Sequence, residues 1–186
     1  MARLQNLYQE KIIPALISEF KYRNKMQVPR LQKIVVSMGL GKAITDKKYL
    51  EAANVELTKI AGQKPLVCPA KKSVSNFKLR EGTDIGLKVT LRRQRMYEFL
   101  DRLISLAVPR VRDFRGLNPD GFDGNGNYSM GLSEIVVFPE VDPDRAPSTL
   151  GMNITMISTA RTDHEGRRLL RLFGMPFRQK EEAKTA

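Results

Sequence analysis

The chain has 186 residues and a formal net charge of +12, with 41% hydrophobic and 28% charged residues. A chain of this size and balance buries enough apolar surface to fold without crosslinks, and its single cysteine, Cys68, excludes a disulfide framework and a cysteine-based zinc site. No apolar run reaches the about 18 residues of a membrane span, and residues 1–20 lack the apolar centre of a signal peptide, so we expect a soluble cytosolic protein.

The periodicity of apolar residues predicts nine elements in the order α-β-α-β-β-α-β-β-α. In chain order they are a helix over 4–20, a strand over 31–38, a helix from an Asp46 cap to residue 61, strands over 65–69 and 85–92, a helix over 94–106, strands over 132–138 and 152–158, and a helix over 162–173. Pro14 lies inside the first helical pattern and is expected to kink or divide it. Gly62 is expected to end the second helix, and Thr162 or Asp163 to cap the last.

Two long connections separate these elements. Residues 115–131 contain too many glycines for a regular element and are predicted to be turns. A basic loop joins the strands over 65–69 and 85–92. The element order predicts one α+β domain over 1–178, with a mainly antiparallel sheet covered on one face by helices and a long basic hairpin loop. Residues 179–186 are predicted to be a polar, disordered tail.

The positive charge is unevenly distributed along the chain. Residues 61–115 contain 13 bases and five acids, whereas residues 116–160 contain one base and six acids. A strongly basic segment calls for an anionic partner such as nucleic acid. The change of sign between adjacent segments therefore predicts a nucleic-acid face and a separate face for another partner.

The basic residues are densest between residues 71 and 95, where eight bases stand against two acids. Ser73, Ser75 and Asn76 add short hydrogen-bonding side chains, and Phe77 offers a face for stacking on a base. The eight bases are Lys71, Lys72, Lys78, Arg80, Lys88, Arg92, Arg93 and Arg95. This composition favours nucleic-acid binding over a solvated hairpin loop, and it does not distinguish RNA from DNA.

Motifs for catalysis or metal binding are incomplete. The sequence 39–42, GLGK, lacks the upstream glycine and the following Ser or Thr of a phosphate-binding loop. Residues 123–134 partly match a calcium loop, but Tyr128 stands where that loop needs glycine. His164 is the lone histidine, and Cys68 has no histidine near it in sequence. We therefore expect no enzyme activity, no metal and no cofactor.

Several strings resemble the bacterial large-subunit ribosomal protein L-five family when they are taken together and in order. They are VPRLQKIVVSMGLG, GQKP, AKKSVSNFKLREG, IGLKVTLRR, VPRVRDFRGL, FDGNGNYSMG and FGMPF. The resemblance runs from about residue 3 to residue 178. It implies a structural constituent of the large ribosomal subunit that binds 5S rRNA and helps attach it in the central protuberance. Its other implied partners are large-subunit rRNA and neighbouring proteins of that subunit. The protein itself is implied to be a monomer within the cytoplasmic ribosome.

The resemblance also assigns roles to residues. Matching motifs place Gln63, Thr90, Arg92 and the adjacent Arg93 at the 5S rRNA site. The hairpin loop over 69–82 is implied to contact P-site tRNA. Its candidate residues are Lys71, Lys72, Ser73, Ser75, Asn76, Phe77, Lys78 and Arg80.

Two positions depart from the family pattern. Ser37 belongs to the same implied site and stands where the family usually has asparagine, so it offers fewer hydrogen-bond donors. Asn125 stands where the family often has arginine, which lowers the charge of that turn.

The acidic segment has an implied role as well, because the family bridges to a basic protein of the small-subunit head. We hypothesise that Glu140, Asp142 and Asp144 face that protein. The alternative to a ribosomal role is a nucleic-acid-modifying enzyme without a recognisable motif. A membrane-surface protein is disfavoured, because the first helix is only mildly basic and no membrane partner is expected.

Overall fold

A computed structural model describes residues 2–142 and 150–178. This part of the chain contains five α-helices and five strands. In chain order they are α1 Arg3–Leu7, α2 Ile13–Phe20, β1 Leu31–Gly39, α3 Lys47–Ala61, β2 Leu66–Pro69, β3 Asp84–Leu91, α4 Arg93–Arg102, β4 Tyr128–Leu132, β5 Met152–Ser158 and α5 Asp163–Leu172. The predicted α+β class is confirmed. The predicted tail over 179–186 lies outside the described residues, and the single-domain boundary at 178 stays a prediction.

The five strands form one sheet in the order β2-β3-β1-β5-β4, and every neighbouring pair is antiparallel. Side chains alternate between its two faces. One face is buried against the helices, as shown by Ile34, Val36 and Met38 of the central strand. The opposite face, here called the open face, is exposed or half-buried. It comprises Val35 and Ser37 of β1, Leu66 of β2, Lys88 and Thr90 of β3, Ser129 and Gly131 of β4, and Asn153 and Thr155 of β5.

Pro14 divides the first helix, as predicted. A π-helical turn, Tyr8–Ile12, separates α1 from α2, and the N–H of Ile13 donates to the carbonyl of Tyr8, five residues earlier. A second π-helical turn, Leu103–Ala107, precedes Pro109 in the same way. Proline has no N–H and crowds the preceding turn. The helical hydrogen bonds there therefore span five residues instead of four, and the helix continues past the proline.

The predicted helix caps are confirmed. The carboxylate of Asp46 accepts the N–H of Lys48 at 2.9 Å at the start of α3. Gly62 ends the same helix with φ +63°, a left-handed conformation that glycine adopts without a Cβ clash. The hydroxyl of Thr162 accepts the N–H of Glu165 at 3.4 Å at the start of α5.

The predicted strand over 132–138 is wrong. Only Leu132 belongs to a strand, and Ile135–Val137 forms a single 3-10 turn. Ile135 and Phe138 are both buried, and a 3-10 turn places residues three apart on one side, whereas a strand would point them to opposite faces. The preceding segment 128–131, predicted to be turn, is strand because buried Tyr128 pairs with Met156.

Candidate nucleic-acid interface

The basic loop between β2 and β3 is held by its own backbone hydrogen bonds. At its base, the N–H of Ala70 donates to the carbonyl of Thr83 at 2.8 Å. Nearer the tip, Val74 and Leu79 exchange N–H to carbonyl bonds of 2.9 and 3.1 Å. The loop is therefore a small ordered hairpin extending from the larger one.

The tip of the loop presents its cations and its aromatic ring to solvent. Ser75–Phe77 forms a 3-10 turn that closes at Lys78, whose φ of +51° is left-handed. Phe77 is 73% exposed. The side chains of Lys71, Lys72, Lys78 and Arg80 form no ion pair within the described part of the chain. Ser73 differs from these residues, because its hydroxyl accepts the N–H of Glu81 at 2.9 Å and holds the loop together.

The open face carries a second group of candidate residues. Ser37 is paired across the strands with Lys88 on one side and Asn153 on the other. Thr90 lies opposite Val35, in the next row of the sheet. Directly paired side chains on one face have Cβ atoms about 4.5–5.5 Å apart, so Lys88, Ser37 and Asn153 form one polar group on three adjacent strands.

The polar groups of the open face differ in how far they are already hydrogen-bonded within the protein. Ser129 donates its hydroxyl to that of Thr155 at 3.1 Å, so this pair satisfies itself. No hydrogen bond among residues 2–142 and 150–178 uses the side chains of Ser37, Thr90 or Lys88. These groups are available to a ligand.

A third group lies where β3 ends and α4 begins. The guanidinium of Arg95 donates to the amide oxygen of Gln63 at 3.2 Å, so Gln63 contacts the first turn of α4, which begins at Arg93 directly after Arg92. Arg30 lies near the same helix. Burial raises the pKa of Tyr97 in α4, and the positive charge of the Arg30 guanidinium opposes that rise.

The start of α4 is unfavourable for an isolated helix. Its first turn contains no acid and no side-chain cap, although arginines stand at residues 92, 93 and 95. Each cation at a helix N-terminus destabilises the helix by about 0.3–1 kcal/mol, because it is repelled by the positive end of the macrodipole. Arg93 also has φ +53°, a left-handed conformation that a residue with a Cβ disfavours. A bound anion such as phosphate would reverse the electrostatic part of this penalty.

The structure divides the basic sequence segment into two surfaces. The loop leaves one end of β3, and Arg92 with Arg93 follows the other end. Eight residues of strand separate these ends by roughly 25 Å. Sequence reasoning missed Asn153 as a member of the second surface. It lies in no basic run and no polar motif, and only the pairing of β1 with β5 brings it there.

The acidic segment is partly engaged in internal contacts. Glu140 accepts a hydrogen bond from Arg102 at 2.5 Å, and the same guanidinium donates to the carbonyl of Ile60 at 2.9 Å. Asp142 is half-buried at the end of a described range, and Asp144 lies outside the described residues. Glu140 therefore has a structural role whatever it meets outside the molecule.

In the turn that partly matches a calcium loop, the Asp123 carboxylate is hydrogen-bonded to groups of the protein itself. Asp123 accepts the N–H groups of Asn125 and Asn127 and the side-chain amide of Asn127, at 2.8–3.2 Å. These hydrogen bonds, with the Asn127 amide first, hold the pKa of the Asp123 carboxyl below its ordinary value. Within residues 2–142 and 150–178, no group of three His, Cys, Asp or Glu side chains is arranged to hold a metal ion. None of the described helices is long and apolar enough to span a membrane.

Two stretches that together cover most of the chain match models of known families. Residues 24–80 match ribosomal protein L5, and residues 84–177 match the C-terminus of the same ribosomal protein family. The chain belongs to the ribosomal protein L5 family. Both surfaces described above lie in these ranges, since the first match includes the loop up to Arg80 and the C-terminal match includes β3 and α4.

Individual relatives in the L5 family are similar over nearly their whole length. The large ribosomal subunit protein uL5 of Methylococcus capsulatus is 57% identical over 178 residues, which cover 96% of this chain and 99% of that protein. The uL5 proteins of Geotalea daltonii and Syntrophus aciditrophicus are each 56% identical, with the same coverage.

Membership of the L5 family makes this protein a structural constituent of the large ribosomal subunit. It sits in the ribosome, in the cytoplasm, with other components of that subunit. The predicted family is confirmed. The alternative of a nucleic-acid-modifying enzyme is wrong, because the family consists of structural ribosomal proteins.

Proposed function

We propose that this L5 family member binds 5S rRNA and helps attach it to the large subunit in the central protuberance. The site comprises the open face of the sheet and the start of α4. The observation that carries the proposal is the grouping of unpaired polar and cationic side chains there, with no carboxylate among the open-face residues. The assigned residues are Ser37, Gln63, Thr90, Arg92 and Arg93.

The chemistry of this surface suits RNA. Arg92 and Arg93 stand at a helix N-terminus, where guanidinium groups and backbone N–H groups bind phosphates together. Ser37 and Thr90 carry hydroxyls that both donate and accept, as a ribose 2′-hydroxyl requires of its partner. Affinity comes mainly from phosphate contacts, and selectivity comes from the shape of the RNA and a few polar contacts.

We propose further that the loop over 69–82 contacts P-site tRNA. Its exposed cations and Phe77 support this role, because phosphates and an unstacked base are the groups that they bind. The internal hydrogen bonds of the loop support it too, since a hairpin that is already ordered loses less entropy when tRNA arrives. Ser73 positions the loop as well, and its hydroxyl keeps its own donor for tRNA, because it only accepts in the bond with Glu81.

A bridge to a basic protein of the small-subunit head is the third part of the proposal. It rests on the acids Glu140, Asp142 and Asp144 and on the change of charge between adjacent segments. Reversing Asp142 and Asp144 together should weaken subunit association and reduce its salt dependence. Unchanged association would refute the bridge. Glu140 is left intact in this variant, because its pairing with Arg102 would confound the result.

The division of labour between the two basic surfaces is tested by two variants of the purified protein. Arg92→Ala should weaken 5S rRNA binding roughly tenfold, the value of one charge-assisted contact of about 1.4 kcal/mol. Lys71→Ala combined with Lys72→Ala should leave that affinity nearly intact and impair tRNA-linked steps in whole ribosomes. Gel shifts with 5S rRNA and a duplex DNA control measure the first effect.

Lys11→Ala is the matched control for loss of one positive charge, because Lys11 is exposed on the helical side of the molecule. It should bind 5S rRNA like the unaltered protein. Equal loss of affinity in the Arg92 variant and the loop variant would refute the separation of the two surfaces.

A further inference from the structure

The open face contains a polar residue that no sequence motif marks. Asn153 lies on β5, directly across from Ser37 on the central strand. It is exposed, and no hydrogen bond within the described ranges involves its side chain. An asparagine side chain has two donors and an acceptor, whereas a serine hydroxyl has one donor. Of the Ser37 and Asn153 pair, Asn153 is therefore the side chain with more hydrogen-bonding groups.

The surroundings of Asn153 leave room for a ligand. On its far side it is paired with Gly131 of β4. A Cβ built at Gly131 would lie 3.5 Å from Oδ1 of Asn153, so the amide lies beside bare backbone. Gly39 at the end of β1 is exposed, and a Cβ built there would meet nothing within 4 Å. Glycines at such positions allow close approach of another backbone.

The charges of the same row indicate which kind of ligand it suits. Across five strands the row reads Leu66, Lys88, Ser37, Asn153 and Gly131. It places a cation, a hydroxyl and an amide on the three adjacent strands β3, β1 and β5. An RNA backbone presents phosphates beside ribose 2′-hydroxyls and base edges at similar short spacings. An acidic protein surface would suit the cation but would not need the central amide.

We propose that Asn153 is an RNA-contacting residue that donates and accepts hydrogen bonds at the position where Ser37 is too short to do so. Its partner is a ribose 2′-hydroxyl or a base edge of the RNA bound on the open face, with Lys88 on an adjacent phosphate. The inference rests on the proposed binding of 5S rRNA by this face.

Three variants test the proposal through their affinity for 5S rRNA in a salt series. Asn153→Ala should weaken binding roughly tenfold, as expected for loss of one or two hydrogen bonds of about 0.5–1.5 kcal/mol each. Ser37→Asn places an amide on the neighbouring strand. Combined with Asn153→Ala, it should restore the affinity to within about threefold of the unaltered protein, given the roughly 5 Å between paired side chains.

Asn6→Ala is the matched control, because Asn6 is exposed on α1, on the helical side of the molecule. It should bind RNA like the unaltered protein, and thermal unfolding should show that all variants are folded. Unchanged affinity of Asn153→Ala, or failure of Ser37→Asn to rescue it, would overturn the inference. If the unaltered protein does not bind 5S rRNA, the proposed function fails instead, and the two failures are thereby distinguished.

Discussion

At the scale of single residues, Arg102 joins three parts of the molecule. It belongs to α4, donates to the last turn of α3 at Ile60, and pairs with Glu140 after the 3-10 turn. Its side chain and that of Glu140 are 30% and 28% exposed, so solvent screens the pair only in part. Removing one partner leaves the other charge partly buried and unpaired, and this costs more than the pair itself contributes.

We therefore predict that Glu140→Ala lowers the free energy of unfolding by about 1–3 kcal/mol. Urea denaturation measures this change. Glu134→Ala is the control, because Glu134 is exposed and should change the stability by less than about 0.5 kcal/mol. Equal effects of the two substitutions would contradict a structural role for Glu140.

Substitution of two glycines in the 121–127 turn distinguishes the cost of backbone strain from the cost of close packing. Gly124 and Gly126 have φ values of +90° and +74°, so either substitution by alanine costs about 1–2 kcal/mol in conformation. A Cβ at Gly126 would also lie 2.6 Å from Cβ of Ala160, whereas Gly124 has open space. Gly126→Ala should therefore be less stable than Gly124→Ala by about a further 1–3 kcal/mol. Similar midpoints of urea unfolding would disprove the close contact between this turn and the residues before α5.

At the scale of elements, the basic loop is predicted to be ordered without RNA. The N–H groups of Val74, Leu79 and Glu81 are hydrogen-bonded inside the loop. Their hydrogen exchange in the free protein should be slower than that of Lys71 and Lys72. Ser73→Ala should speed the exchange of Glu81 in particular, because it removes the acceptor of that N–H. Uniformly fast exchange from residue 71 to 81 would show that the loop orders only on binding.

The elements also show what a sequence can predict about this fold. Caps and breakers act locally, so Asp46, Gly62 and Pro14 can be assigned from their neighbours alone. The predicted strand over 132–138 is wrong because a short apolar run suits both a strand and a 3-10 turn, and burial of both Ile135 and Phe138, three residues apart, favours the turn. Local patterns specify where elements begin and end better than they specify which type a short apolar run adopts.

The same limit applies to the candidate site. A run of bases is visible in the sequence, and it predicts the loop together with the start of α4. It does not predict Asn153, because the pairing of β5 with β1 joins residues more than a hundred positions apart. The separation of the loop from α4 cannot be read from composition either, since an eight-residue strand carries one segment of charge to two ends of the sheet.

At the scale of the whole molecule, the two basic surfaces should contribute separately to salt dependence. Each phosphate contact releases counterions on binding, and loss of one contact reduces the slope of log affinity against log salt by about 1. Arg92→Ala combined with Arg93→Ala should therefore reduce the slope for 5S rRNA by roughly 1–2. Lys71→Ala combined with Lys72→Ala removes the same charge from the far end of β3 and should leave the slope unchanged.

The comparison distinguishes contact from long-range attraction. Both double variants lower the net charge equally, from +12 to +10. A field acting over the whole protein would therefore reduce the slope equally in both. Over the roughly 25 Å between the two ends of β3, however, salt at about 0.15 M screens exposed charges within about 8 Å. Only the cations that touch RNA should then affect the slope, and equal slopes in the two variants would show that 5S rRNA also reaches the loop.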